Sequence, residues 1–190
     1  YHPPIHVIWN SIRFAAAAMS ISLLIGTTVA YFIASRNDKA SLSDSIFMIP
    51  LGISSVVMGF GFLMAFNKPY FDLRDSSLII ILAHSLIAYP FVIRSVLPVL
   101  RSIPQNMKDA ARILGASDTQ TFLHIDMPII MRALLVGAVF SFAISMGEFG
   151  ASALITRPEF STIPIAIYRF LSLPGTSNIG QALAMSCILM

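Results

Sequence analysis

Five stretches of this 190-residue chain carry no charged side chain: residues 14–35 (22 residues), 45–67 (23), 76–93 (18), 133–147 (15) and 170–190 (21). A helix needs roughly 20 apolar residues to cross about 30 Å of hydrocarbon. The first three stretches meet that length. The fourth meets it when extended back to Pro128, with Arg132 snorkelling to the membrane edge. Pro174 and Gly175 interrupt the fifth. Charged residues are 11% of the chain and hydrophobic ones 56%, whereas a soluble domain carries about 25% charge. So little charge cannot cover a soluble surface. The chain therefore reads as an all-α integral membrane protein, a polytopic bundle of about five transmembrane helices. The same composition excludes disordered and collagen-like classes, and with Cys187 the one cysteine no intrachain disulfide scaffold is possible. A net charge of +3 gives no reason to expect a nucleic-acid partner.

Tyr1 is not an initiator methionine, and the chain stops inside an apolar run. The residues before the first span do not read as a signal peptide. The sequence reads as a fragment of a longer polytopic chain, with no internal repeat. If the first span runs from outside to inside, the inner side carries Arg36, Lys39, Arg94, Arg101, Lys108, Arg112 and Arg132. The outer side carries Arg13, Lys68, Arg74, Arg157 and Arg169. Seven basic residues against five predict this orientation and put loops 36–44 and 94–132 inside.

The 94–132 loop is the longest polar stretch. Ser102, Pro104 and Gln105 predict a capped helix start. Gly115 predicts its stop, because glycine adopts positive φ cheaply. Ser117 and Gln120 repeat the capping pattern and open a second short helix, expected to end near Ile125, with Pro128 starting the next span. Ala110 and Ala111 leave a patch almost free of side chains, where another backbone can approach. Composition alone favours a helix lying on the bilayer or packed on its own bundle over a patch for a partner.

The full spacing is more specific. Asp109-Ala110-Ala111, three residues, Gly115, nine residues, Ile125, one residue, Met127-Pro128 resembles the EAA loop of binding-protein-dependent ABC importer permeases. Asp109 stands for that pattern's glutamate and Met127 for its leucine. The resemblance runs from Asn10-Ser11 to the last helix. It implies a single permease domain over 1–190 in a bacterial or archaeal inner membrane, with a coupling loop within 94–132. In that loop Asp109, Ala110, Ala111, Gly115, Ile125, Met127 and Pro128 would couple to cytoplasmic ATP-binding subunits. It further implies an external or periplasmic substrate-binding protein and a second permease half or subunit. Residues 145–175, SMGEFGASALITRPEFSTIPIAIYRFLSLPG, are similar to ferric-iron and thiamine permeases, which implies one of those cargoes.

Lys39, Lys68 and Lys108 precede Ala40, Pro69 and Asp109, and no phosphate-binding loop exists among them. If ATP drives transport, another protein must bind it, and no cofactor is expected. The histidines are scattered and offer no metal constellation; Pro3 and Pro4 argue against a helix that would align His2 with His6. His84 lies within the third span, as either a functional group or a neutral imidazole bonded to a neighbouring helix. Tyr89-Pro90 marks a kink in that span. Glu148 and Phe149 sit between Gly147 and Gly150 at the end of the fourth, and residues 161–173 read as a short interfacial or re-entrant helix. His84, Tyr89, Glu148 and Phe149 are the candidate translocation-path residues. No paired carboxylates, serine–histidine pair or H-E-x-x-H motif indicates an enzyme. A secondary transporter or channel is the alternative, weakened by the scarcity of ionisable groups in the spans.

Overall fold

The computed structural model describes residues 4–35, 42–66 and 76–190, and among these every regular element is helical. Helix α1 (Pro4–Ser35) begins well before the uncharged run that predicts it. Pro4 stands at its first position, where the missing N–H would have had no partner in any case. Pro3-Pro4 therefore does not bar a helix at His6, contrary to expectation; His2 lies outside the described residues, as does most of the 36–44 loop.

The second apolar run is not one helix, as its length predicts. It is split into α2 (Leu42–Phe47), α3 (Ile49–Gly52) and α4 (Ser55–Ala65). Pro50 opens α3, and Ile53 and Ser54 turn extended at ψ 133° and 134°. Helix α5 (Leu78–Ser102) runs through Pro90 and Pro98. Then come α6 (Gln105–Ile113), α7 (Asp118–Thr121), a π-helical turn over Phe122–Asp126, and α8 (Met127–Gly147). The chain finishes with α9 (Gly150–Ile155), a 3₁₀ turn at Pro158–Phe160, α10 (Ile163–Ser172) and α11 (Thr176–Leu189). Among the described residues, three helices are long and apolar enough to cross a membrane: Ile5–Ser35, Leu78–Ser102 and Asp118–Gly147; Ser55–Ala65 and Ile163–Ser172 are shorter apolar helices. The short helix expected over 161–173 is α10.

Helix α5 is the centre of the bundle, packed between α1 and α8. Val92 wedges between two glycines, and a Cβ on Gly26 of α1 would stand 2.6 Å from Val92 Cβ. A Cβ on Gly137 of α8 would stand 3.3 Å from Val92 Cα. Small residues let the three backbones close up, the usual way spans associate without a hydrophobic drive between them. Ser22 Oγ donates to the Ser85 carbonyl at 3.1 Å, a further tie between α1 and α5. Ile33, Leu100, Ile103 and Ile130 cluster at the end where α1 and α5 finish and α8 begins. Phe14, Ile79, Ala151 and Ile155 cluster at the opposite end. There Asn10 Nδ2 donates to the Glu159 carbonyl at 3.1 Å and the Ile163 N–H to Ser11 Oγ at 2.8 Å, fastening α10 to α1.

Candidate functional site

The 94–132 loop folds as a helix–turn–helix with one difference from its expected start. Ser102 does not cap α6. It belongs to α5, and its hydroxyl donates back to the Val99 carbonyl at 2.7 Å. Pro104 precedes α6 without a side-chain cap. Gly115 has φ +87°. Its N–H bonds the Arg112 carbonyl at 3.0 Å, and the Ala116 N–H bonds the Ala111 carbonyl at 3.0 Å. This double closure is the Schellman helix stop, which needs a left-handed residue at that one place. The second cap forms as expected: Ser117 Oγ accepts from the Gln120 N–H at 3.2 Å, while Gln120 Oε1 accepts from the Ser117 N–H at 2.8 Å.

The second helix does not end at Ile125. It widens into the π-helical turn and continues as α8, so 118–147 is one continuous helix. Pro128 has no N–H to give to the fourth residue back. The preceding Met127 N–H reaches the fifth, Phe122. The widened turn carries the chain past the proline unbroken.

Asp109 is half exposed on α6 and is held by its neighbours. Gln105 Nε2 donates to Asp109 Oδ1 at 3.2 Å, and Arg112 stands 3.6 Å away. The same Arg112 donates to Asp118 Oδ1 from Nε at 3.2 Å and Nη2 at 3.0 Å, tying α6 to α7. Ala110, Gly115 and Pro128 are exposed, while Ile125 and Met127 pack on the core cluster at this end of the bundle. The loop therefore has an outer face of Asp109, Ala110 and Gly115 and an inner anchor of Ile125 and Met127. Two features were missed in the sequence. Ile113 and Leu114 are 86% and 87% exposed, an apolar knob at the tip of α6. Beside it lies an open groove of about 350 Å³ between Leu114, Gly115, Gln120 and His124. Two large apolar residues directly before a helix-stopping glycine were the available signal. Lys108 was also read only as a charge. It pairs with Asp126, whose side chain is fully buried, at 2.8 Å.

The other four candidates gather around α5 and the α8–α9 junction. His84 is buried, with Nδ1 2.7 Å from Ser145 Oγ and Nε2 2.8 Å from Ser152 Oγ. A neutral ring donates at one nitrogen and accepts at the other, so both are satisfied. His84 thus joins α5 to α8 and α9, which is the neighbouring-helix alternative of the sequence reading. Glu148 is also buried, and its Oε1 accepts from the Ala151 N–H at 2.9 Å, capping α9. Tyr89 donates its hydroxyl to the Phe47 carbonyl at 3.0 Å, bracing α2. Phe149 alone of the four is exposed, its ring 5.3 Å from that of Tyr168. A Cβ on Gly150 would collide with Ser55 Oγ, so this glycine serves close packing of α9 on α4. Among the described residues no cluster of three or more potential metal ligands occurs.

The sequence that folds into this bundle and loop matches a known family over residues 22–190. The chain belongs to the family of binding-protein-dependent transport system inner membrane components. It is 30% identical to a molybdenum transport system permease protein of Haemophilus influenzae, over 95% of this chain and 85% of that one. It is 31% identical to a putative 2-aminoethylphosphonate transport system permease protein of Salmonella typhimurium, over 76% of this chain and 53% of that one. It is 30% identical to a sulfate transport system permease protein of Escherichia coli, over 86% of this chain and 61% of that one. The chain thus spans little more than half the length of some of these relatives. Family membership and the apolar helices make it a multi-pass membrane protein.

Proposed function

We propose that this chain is the permease subunit of an ABC importer in a bacterial or archaeal inner membrane, a single permease domain over 1–190 with no catalytic chemistry of its own. The observation that carries this reading is the 109–128 loop, which exposes Asp109, Ala110 and Gly115 of the motif and anchors Ile125 and Met127 on the core. Cytoplasmic ATP-binding subunits dock on Asp109, Ala110, Gly115 and the apolar knob. An external binding protein delivers cargo at the opposite end. ATP binding moves the loop, the spans open outward to the loaded binding protein, and hydrolysis returns them inward.

A second permease half or subunit completes the path, and the break in the second apolar run supports it. Tyr89, midway along α5, bonds Phe47, and Ser55 meets Gly150. Ile53 and Ser54, between these levels, are extended and exposed on this chain. Irregular backbone at membrane depth is tolerated against protein or water, not against lipid. This face therefore lies on a partner or along the path, near Phe149, and His84, Tyr89 and Glu148 shape the path from behind.

For the cargo we infer an oxyanion. The names of the relatives above refer to molybdenum, sulfate and 2-aminoethylphosphonate; two of these are anions, and molybdenum in neutral water is an oxyanion. The ferric-iron or thiamine cargo implied by residues 145–175 has no counterpart in those names. The test is uptake into vesicles holding the complete transporter, with ATP inside and the binding protein outside. Labelled molybdate, sulfate, a phosphonate, ferric iron and thiamine are compared. ATP-dependent accumulation of one oxyanion is expected, and accumulation of iron or thiamine instead would overturn the cargo reading. Uptake that needs neither ATP nor the binding protein would favour the secondary transporter.

A further inference from the structure

Helix α6 has no buried residue of its own, and its exposed side is the docking face proposed above. Among the described residues, an ion pair ties it to the membrane bundle. Lys108 stands one position before Asp109, and its side chain is only 16% exposed. Its ammonium lies 2.8 Å from Asp126 Oδ1 and 5.9 Å from the centre of the Tyr31 ring. Asp126 is the last residue of the π-helical turn, immediately before α8. Its carboxylate is fully buried, and neither oxygen has a hydrogen-bond donor of good geometry among the described residues, so the ammonium meets Oδ1 as an ion pair. Tyr31, near the end of α1, meets Phe122 of the same turn edge-on at 5.3 Å. Three elements therefore converge on one ammonium: the docking helix, the end of α1 and the foot of α8.

The physics of such a pair makes it a stiff link. A buried carboxylate with a single cation cannot release that cation without leaving an uncompensated charge in a dry site. Helix α6 and the foot of α8 are bound to move together. Without the pair, the side-chain ion pair that remains between α6 and the rest of the described residues is the exposed Arg112–Asp118 contact to α7, and exposed contacts of that kind hold weakly. The π-turn next to Asp126 is a place where a helix can change register, and such turns recur at functional sites.

We propose that Lys108 and Asp126 are positioning residues for coupling. They clamp the docking helix to α8, so that a displacement imposed on the loop reaches this span instead of being lost in the loop. This inference rests on the permease reading above. The assay uses the complete transporter in vesicles and records three things: ATPase subunit association, ATP hydrolysis, and cargo uptake per ATP. Lys108→Met and Asp126→Asn are expected to keep the ATPase subunit bound but to lower uptake per ATP by about tenfold. The exchange Lys108→Asp with Asp126→Lys is expected to recover most of the ratio. The double change Lys108→Met with Asp126→Leu leaves no buried charge and should be as stable as the parent. It is nevertheless expected to stay uncoupled. Full uptake per ATP in that double variant would reduce the pair to a folding element and overturn the inference. Should the parent protein bind no ATPase subunit, the permease reading and this inference fall together. A coupled parent with equally coupled variants would remove this inference alone.

Discussion

Replacing Gly59 by alanine should destabilise the protein, while the same change two residues on, at Gly61, should not. Both glycines lie inside α4. A Cβ at position 59 would stand 2.8 Å from Ala151 Cα and 2.9 Å from the Ala151 carbonyl oxygen. Carbon atoms pack best at about 3.5–4.0 Å, so α4 and α9 would have to separate by roughly 1 Å. Both atoms met are backbone, and no rotamer change relieves the contact. Overpacking of this kind costs about 1–3 kcal/mol. Alanine in place of glycine within a helix returns about 0.5–1 kcal/mol. A Cβ at position 61 meets nothing within 4 Å, so only the gain remains there. The gap between the two variants isolates the packing cost, about 1–3 kcal/mol. At about 2–4 °C per kcal/mol, the melting points of the two detergent-purified variants should differ by roughly 2–12 °C. Because α9 carries Ser152, the Gly59 variant should also loosen the 2.8 Å contact to His84. A Gly59→Ala protein that melts at or above Gly61→Ala would refute the close packing of α4 on α9.

Two further outcomes are expected. Gly115 has φ +87° and open space around it, so Gly115→Val adds backbone strain alone, about 1–2 kcal/mol. It should displace α6 and abolish transport with membrane insertion intact, whereas Gly115→Asn should retain transport; normal uptake by a well-inserted valine variant would exclude the turn from coupling. With Cys187 replaced by serine, a cysteine at Ser117 should resist an impermeant thiol reagent added outside cells while one at Glu159 reacts; the reverse labelling would invert the topology.

Length and charge spacing made the all-α bundle and its long apolar helices legible, because hydrocarbon thickness dictates both. The Gly115 stop and the Ser117–Gln120 cap were readable because each rests on local backbone chemistry. The break at Ile53 and Ser54 was not. Pro50 sits where it also could have opened a long helix, and its effect depends on α9 and α5 lying alongside. The Ser102 cap was misread for a related reason, since α5 runs further than its apolar run and takes the serine with it. The π-turn before Pro128 followed from a missing N–H, but a chain break would have satisfied the same sequence. The partners of His84 lie 61 and 68 residues away, and that of Lys108 lies across a turn. No local pattern marks either pair, which is why the polar node and the buried ion pair emerge only with the packing.

The central claim is that the α6 loop is the surface on which an ATP-binding subunit docks. Its most direct measurement is co-purification of that subunit with the intact permease and with an Ile113→Asp/Leu114→Asp variant. Both side chains are almost wholly exposed in this chain, so the changes leave its own packing undisturbed. The account predicts a stoichiometric ATP-binding subunit with the parent protein and its loss from the variant, at equal membrane expression. A variant that keeps the subunit at full stoichiometry would contradict it.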